Sequence, residues 1–526
     1  MNRRYFATWL IAWVLIAAAP VQSAVFTLKG QNEARYRRGY PFGQKGGVSQ
    51  SYFENSFEFN AGYSNYRFYL RQRYLLPSEF GVRQTGLESF DKRYLEYRTD
   101  QLTVHGGSFY RIWGTGLMFG TAERQELNFD NGLEGLLLES SFNRFEASFF
   151  KGARSDTLGG FIESAEGGWL TYRAPLGIAL GTGVVYLEES ALHPAVDRRG
   201  YEITAQTGPV GMSLTYSADI PAHSENFPSG FGGYPHGLYG SLSFGGFNWG
   251  AVLEYKNYRL LVEDPYSDTP QPLLQDPPTA RPEATMTLLD RIPRVVKPYS
   301  DDVGFQLDLT ASREFWSFHT NLNLGSELGS ERILPSVRSD QSKYRGVFLS
   351  ADRNDLEGNR LMLEGGYLEE IQVVPPVYRD QTYWYRRSGV GAEYGLPIMA
   401  AYSASAEMQL MWFKQLQEIP LPDGSRERST FNEYRDELLQ LSVSHSPDWS
   451  LTLAAMRSGD RNERGGLKWD DNRRYWPYAE LMVNVVEGHQ VRLMGGHERG
   501  GLRCSGGLCR WVNPFQGVKV TVTSQF

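Results

Sequence analysis

The chain has 526 residues, 41% apolar, 14% aromatic and 21% charged, with 56 Gly and 31 Tyr; its net charge of −7 argues against nucleic acid as a partner. One stretch, at the N-terminus, is apolar for long enough to suggest a membrane helix, which excludes a helical multi-span protein. The negative mean hydropathy, −0.42, leaves room for a membrane barrel, because about half of each barrel strand faces a wet lumen.

Residues 1–23 read as an export signal. Arg3 and Arg4 form a basic start, Phe6 to Ala19 is an apolar run, and Val21-Gln22-Ser23 supplies modest side chains for cleavage. The cut is expected after Ser23, with Ala24 as the alternative; the run is short for a retained anchor. Residues 24–526 are therefore expected to be exported. Strand patterning starts soon afterwards. Phe57, Phe59 and Ala61 oppose Glu54, Ser56, Glu58 and Asn60, and Tyr66, Phe68 and Leu70 oppose Arg67 and Arg71. A side-chain period of two makes one strand face apolar and the other wet.

Residues 107–135 mix tight glycines, among them Gly114 and Gly116, with Arg111, Glu123, Arg124 and Asp130 and the amide of Asn131. Glycine lets a backbone bend inward or approach another strand closely. Two readings stay open here: an inward-folded segment whose charges line or narrow a lumen, or an ordinary strand and loop whose charges pair structurally. Residues 261–300 hold eight of the 26 prolines, including Pro277-Pro278, and cannot form a continuous ladder. They are either a long external loop or a segment folded into or over a pore.

The alternation resumes with Phe305, Leu307 and Leu309 against Gln306, Asp308 and Thr310. From Ala401 to Trp412, Tyr402, Ala404, Ala406, Met408, Leu410 and Trp412 alternate with Ser403, Ser405, Glu407 and Gln409. That length suits a tilted bilayer crossing, with Tyr402 and Trp412 placed for aromatic girdles and Glu407 facing the lumen. Ala479, Leu481, Val483 and Val485 repeat the theme. Cys504 and Cys509 are the two cysteines of the chain. In an exported protein such a pair is expected to form a disulfide, worth roughly 2 kcal/mol for so small a loop. His489 and His497 nearby match no zinc spacing, and no haem-attachment motif is present. In the last strand Val518, Val520, Val522 and Phe526 share one face, expected to meet lipid. Lys519, Thr521, Thr523 and Gln525 share the other, expected to meet the lumen.

Short connections fall near Gly62–Ser64, Ser141–Asn143, Pro175–Gly177, Gly208–Pro209, Gly245–Gly246, Leu356–Gly358, Ser446–Asp448 and Glu487–His489. Long ones lie between them, for example Gly152–Glu166, Asp219–His236 and Asp460–Arg474. Short turns at one end and long loops at the other are the mark of a transmembrane barrel with its short end periplasmic. The expected fold is all-β: a transmembrane antiparallel barrel of about 22–24 strands.

The runs Phe109-Tyr110, Gly114-Thr115-Gly116-Leu117, Glu123-Arg124 and Asp130-Asn131 resemble a family of uncharacterised outer-membrane proteins, a domain of unknown function with an expected barrel fold. Thr287 to Arg291 and Gly500 to Cys509 add to the resemblance, which spans most of the chain after residue 23 and brings no activity with it. The terminal strand also resembles those of bacterial outer-membrane barrels. That resemblance implies closure of the barrel by this strand, and reading of Phe526 by the barrel-assembly machinery.

A barrel near 22 strands is usually plugged, so one of about 24 must be filled. The expected fill is residues 107–135 and 261–300, or a periplasmic partner. Lumen charges of both signs, Glu407 and Lys519 among them, give weak ion selectivity. No nucleophile elbow, zinc helix or phosphate loop is present, so neither an enzyme nor a cofactor is expected. The expected function is an outer-membrane channel for small hydrophilic solutes, set among outer-membrane lipid. The alternatives are a sheath around a partner such as a multihaem cytochrome, and a surface receptor or adhesin.

Overall fold

The structure is a computed structural model describing residues 26–41, 49–125, 129–155, 162–189, 195–221, 235–261, 272–279, 286–290, 302–327, 333–336, 341–374, 381–420, 426–461, 463, 466–470, 473–505 and 508–526, apart from 77–85. Its wall is 24 antiparallel strands. The first eight are β1 (Phe26–Pro41), β2 (Gln50–Tyr63), β3 (Tyr66–Leu76), β4 (Gly86–Arg98), β5 (Leu102–Phe109), β6 (Leu133–Phe142), β7 (Phe145–Ser155) and β8 (Ile162–Arg173). Next come β9 (Ile178–Leu187), β10 (Val196–Thr207), β11 (Val210–Pro221), β12 (His236–Gly245), β13 (Trp249–Arg259), β14 (Asp302–Arg313), β15 (Trp316–Glu327) and β16 (Lys343–Asn354). The last are β17 (Arg360–Val374), β18 (Gln381–Met399), β19 (Tyr402–Pro420), β20 (Arg426–His445), β21 (Trp449–Ser458), β22 (Arg473–Val486), β23 (His489–Glu498) and β24 (Phe515–Gln525).

Closure is made by the first and last strands, which pair from Gln31 opposite Gln525 to Pro41 opposite Phe515. The ladder ends on Phe526, whose N–H donates to the Gly30 carbonyl (2.9 Å) and whose carbonyl accepts from the Gly30 N–H (2.7 Å). The Phe526 ring occupies the space where a side chain on residue 30 would lie, and stacks on Phe57 at 6.2 Å. A closed sheet leaves no unpaired edge, which is what a lipid environment demands of strands.

The outer face is apolar and exposed: Leu180, Val184, Leu214, Leu349, Val390, Met408, Leu439 and Val518 all point away from the lumen. Their neighbours along each strand, such as Val185, Thr215, Gln409 and Leu438, are buried inside. Tyr63, Phe142, Phe145, Trp249 and Tyr402 stand exposed beside the short turns, while Tyr367 and Trp412 lie towards the other end. Ten residues separate Tyr402 from Trp412. At about 3.3 Å per residue and a tilt near 40°, they stand roughly 25 Å apart along the membrane normal, the height of a barrel's apolar band. The protein is an outer-membrane β-barrel.

Several sequence expectations change in detail. Gly152–Glu166 is mostly ladder rather than loop, with Gly152 opposite Ala165 and Ser155 opposite Ile162. Strands there continue beyond the bilayer, where Gly, Ser and Asp no longer signal a loop. Asp460–Arg474 likewise contains a short strand, Leu467–Asp470, paired back onto β22. Three short turns were not legible: 314–315 and 400–401 lack strong turn residues, and 99–101 carries Asp100 alone. The export signal lies outside the described residues. So do the side chains of Cys504 and Cys509, although the backbone places these residues opposite each other in the hairpin Gly501–Ser505/Leu508–Val512.

Candidate functional site: a segmented lumen

The chain leaves the wall after Phe109 and rejoins it at Leu133, so the excursion is 110–132; residues 107–109 and 133–135 belong to β5 and β6. Its turn into the lumen runs through Gly114, Thr115 and Gly116, all with positive φ (54°, 51° and 84°). Thr115 is the non-glycine member, and its hydroxyl lies within hydrogen-bond distance of the Gly114 carbonyl (2.8 Å) and the Thr215 hydroxyl on β11 (3.0 Å). Two small ladders follow, Ile112–Trp113 with Phe119–Gly120 and Glu123–Arg124 with Phe129–Asp130.

What holds the excursion is apolar packing against an unusually apolar inner wall. Trp113, Met118 and Phe119 join Leu137, Phe150, Trp169, Val185 and Val196 from β6 to β10 in one buried cluster. The Phe119 and Phe150 rings stack at 4.4 Å. Leu117 reaches further, to Tyr239, Tyr258 and Leu260. Inward apolar residues on these strands are thus explained by what covers them.

Ion pairs fix the remaining edges. Arg71 on β3 is 2% exposed and forks onto two carboxylates, Asp91 (2.8 Å) and Glu123 (2.7 Å). Lys92 on β4 pairs with Asp130, which also accepts from the Tyr110 hydroxyl (3.1 Å) and the Gly132 N–H (2.8 Å). Burial alone would raise the Asp130 carboxyl, but the Lys92 charge and these donors hold it below its ordinary value; burial pushes the Tyr110 phenol up. Arg111 pairs with Glu139 on β6. Asn131 is buried, with its amide bonded to Ala122 N–H (2.6 Å) and the Gly120 carbonyl (3.3 Å), so it shapes the excursion from within.

The connection between β13 and β14 also enters the lumen. Leu273 and Leu274 pack in the same cluster as Phe119, and Arg124 pairs with Asp276 at 2.9 Å. The Asp276 N–H donates to the Gly116 carbonyl (3.0 Å), and a Cβ on residue 116 would collide with the Asp276 backbone. Buried Arg198 on β10 donates to the Leu273 carbonyl (3.0 Å) while paired with Asp219 (2.6 Å). Further on, Met286, Leu288 and Leu289 pack against a second part of the wall, on Met411, Phe413, Leu438, Met456 and Trp476 of β19 to β22. Gly366 and Gly389 leave room for Leu289 and Met286. The same connection therefore touches β10 and, within sixteen residues of Leu273, strands β17 to β22.

Polar cavities lie around these segments. One of about 430 Å³ is lined by Tyr69, Arg71, Tyr94, Glu96, Arg111 and Glu123. A second, about 510 Å³, lies toward the short-turn end beside Arg98, Asp100, Trp113, Glu139 and Glu202. Another, about 210 Å³, adjoins Thr287 and is lined by Glu407, Gln440, Glu480, His497 and Glu498. Arg111, Glu123, Arg124, Asp130 and Asn131 thus come together at the excursion, whereas Glu407 on β19 and Lys519 on β24 do not. Lys519 points inward and pairs with Glu498. Sequence reasoning missed Asp91, Lys92, Asp276 and Arg198, because their partners lie up to 152 positions away. Among the described residues no group of three or more His, Cys, Asp or Glu could hold a metal.

Residues 388–526 match the model of a family of unknown function, DUF6029. Several solved structures are similar to the chain at low identity. The P pilus usher PapC translocation pore is 10% identical at a TM-score of 0.42, covering 95% of this chain and 99% of that one. The siderophore receptor PirA of Pseudomonas aeruginosa is 10% identical at 0.40, covering 97% and 81%. The outer membrane protein opdK of Pseudomonas aeruginosa is 10% identical at 0.38, covering 65% and 94%. No curated protein matches the chain.

Proposed function

We propose that the protein is an outer-membrane channel passing small hydrophilic solutes through narrow polar routes beside its two inward segments. The observation that carries this reading is the combination of a lumen narrowed from within and cavities lined by charged groups of both signs. A fill made by the chain itself also leaves less space for a sheathed protein, so passage of solutes is favoured over wrapping a periplasmic partner. Mixed, mostly paired charges select weakly between cations and anions. Planar-bilayer recording of the purified protein tests the reading: small, steady, weakly selective conductance is expected. A silent barrel that co-purifies with a periplasmic protein would sink it.

A further inference from the structure

The outer face carries a feature that neither assembly nor solute passage requires. Across five adjacent strands, Arg345, Glu369, Arg386, Lys414 and Glu433 lie directly opposite one another in register, from β16 to β20. Their parity is outward. Each is two residues along its strand from the outward row Val347, Tyr367, Ser388, Trp412 and Arg435, and the alternate positions Tyr344, Leu368, Arg387, Phe413 and Asp436 are buried inside. Two residues of a tilted strand rise roughly 5 Å along the normal, so the charged row stands just outside the Tyr367–Trp412 aromatic level. That is headgroup depth at the long-loop end, the outer leaflet.

The row is built rather than scattered. Glu369 is 2% exposed and bridges two arginines, Arg345 at 2.6 Å and Arg386 at 2.7 Å. Arg386 spends its Nε on this carboxylate and lies over the Trp384 ring at 5.8 Å. The arginines themselves stay accessible, 67% and 39% exposed. Lys414 pairs with Glu433 at 2.9 Å, and Arg435 one step below is paired with Glu437 at 2.5 Å. Arg345 gives Nε (2.7 Å) and Nη2 (2.6 Å) to this carboxylate and Arg386 its Nε (2.7 Å), so one buried carboxylate holding two exposed guanidiniums leaves a net positive charge and outward Nη N–H groups. A planar fork matches a phosphate oxygen pair, and lipid tails cannot compete for it.

We propose that Arg345, Arg386 and Lys414 form a binding site for the phosphate of a phosphorylated lipid headgroup in the outer leaflet. The apolar surface below, with Val347, Val390 and Trp412, receives its acyl chains. A free phosphate ion shares the headgroup chemistry but not the chains.

The test uses the full protein reconstituted into phosphatidylcholine vesicles doped with a diphosphorylated glycolipid or its dephosphorylated counterpart, then extracted and weighed by native mass spectrometry. The parent should retain the phosphorylated lipid selectively. Arg345→Gln with Arg386→Gln should weaken retention at least about tenfold, while Arg199→Gln, an outward arginine on β10, should leave it unchanged. Equal retention by parent and double variant, or no preference for the phosphorylated lipid, overturns the assignment. Inorganic phosphate that displaces the lipid at equal concentration also overturns it, because the site would then be a free-anion site. Should the glutamine variant fail to fold, Arg345→Lys with Arg386→Lys keeps the charges and removes the forks; undiminished retention there counts equally against the proposal.

Discussion

Arg71 offers the most direct test of what holds the excursion in the lumen. Replacing it with leucine removes the cation that Asp91 and Glu123 share; Asp91 keeps Arg73 at 3.7 Å, whereas Glu123 loses its ion-pair partner. Breaking a buried pair by removing one partner costs roughly 3–5 kcal/mol. Leu117, Met118 and Phe119 are fully buried, and each contributes about 1.5–3 kcal/mol by leaving water. The apolar anchor is therefore the larger part, and Arg71→Leu should loosen the excursion without ejecting it. The strand pairing of β3 with β4 is independent of the side chain, so the barrel should still assemble. Amide exchange across residues 110–132, measured by mass spectrometry in lipid vesicles, should speed up by about a hundred- to a few-thousand-fold, because each 1.4 kcal/mol is a factor of ten in local opening. Glu123→Gln should do less, since Asp91 still holds Arg71. If exchange in Arg71→Leu matched the parent, the ion pair would not be a tether and the reasoning would fail.

The terminal seat is sharply defined: Gly30→Val places methyl groups where the Phe526 ring lies, and the yield of heat-modifiable, folded barrel should fall well below that of Gly30→Ala. Val520→Lys should cost about 2–4 kcal/mol if residue 520 lies near the midplane, whereas Lys519→Gln should assemble almost normally. Equal folding yields of these two would reverse the assignment of faces. Asp130 titrates below the ordinary carboxylate value, so its contribution is complete above about pH 4 and is lost as the pH falls through the lowered value. Exchange of residues 110–132 should accelerate in that acid range, and Asp130→Asn should reduce the acceleration. Cys504 and Cys509 are expected to be oxidised in protein exported to the outer membrane, so thiol titration of the unfolded chain should find free thiols only after reduction.

The alternation of apolar and polar residues determined the fold by itself. A period of two fixes which face of each strand meets lipid, as at Met408 and Gln409, and lipid tolerates no unpaired edge, so closure by β1 and β24 follows. The excursion was legible as a departure: Gly114 and Gly116 mark a bend and the charges mark pairing, but not with what. Only the tertiary structure decided that. Arg71 finds Glu123 across 52 positions and Arg124 finds Asp276 across 152, and such pairings leave no local period. The same holds for the outward row of Arg345, Arg386 and Lys414. Each looks like an ordinary strand-end charge until register brings them side by side, and register between strands is set by the whole sheet.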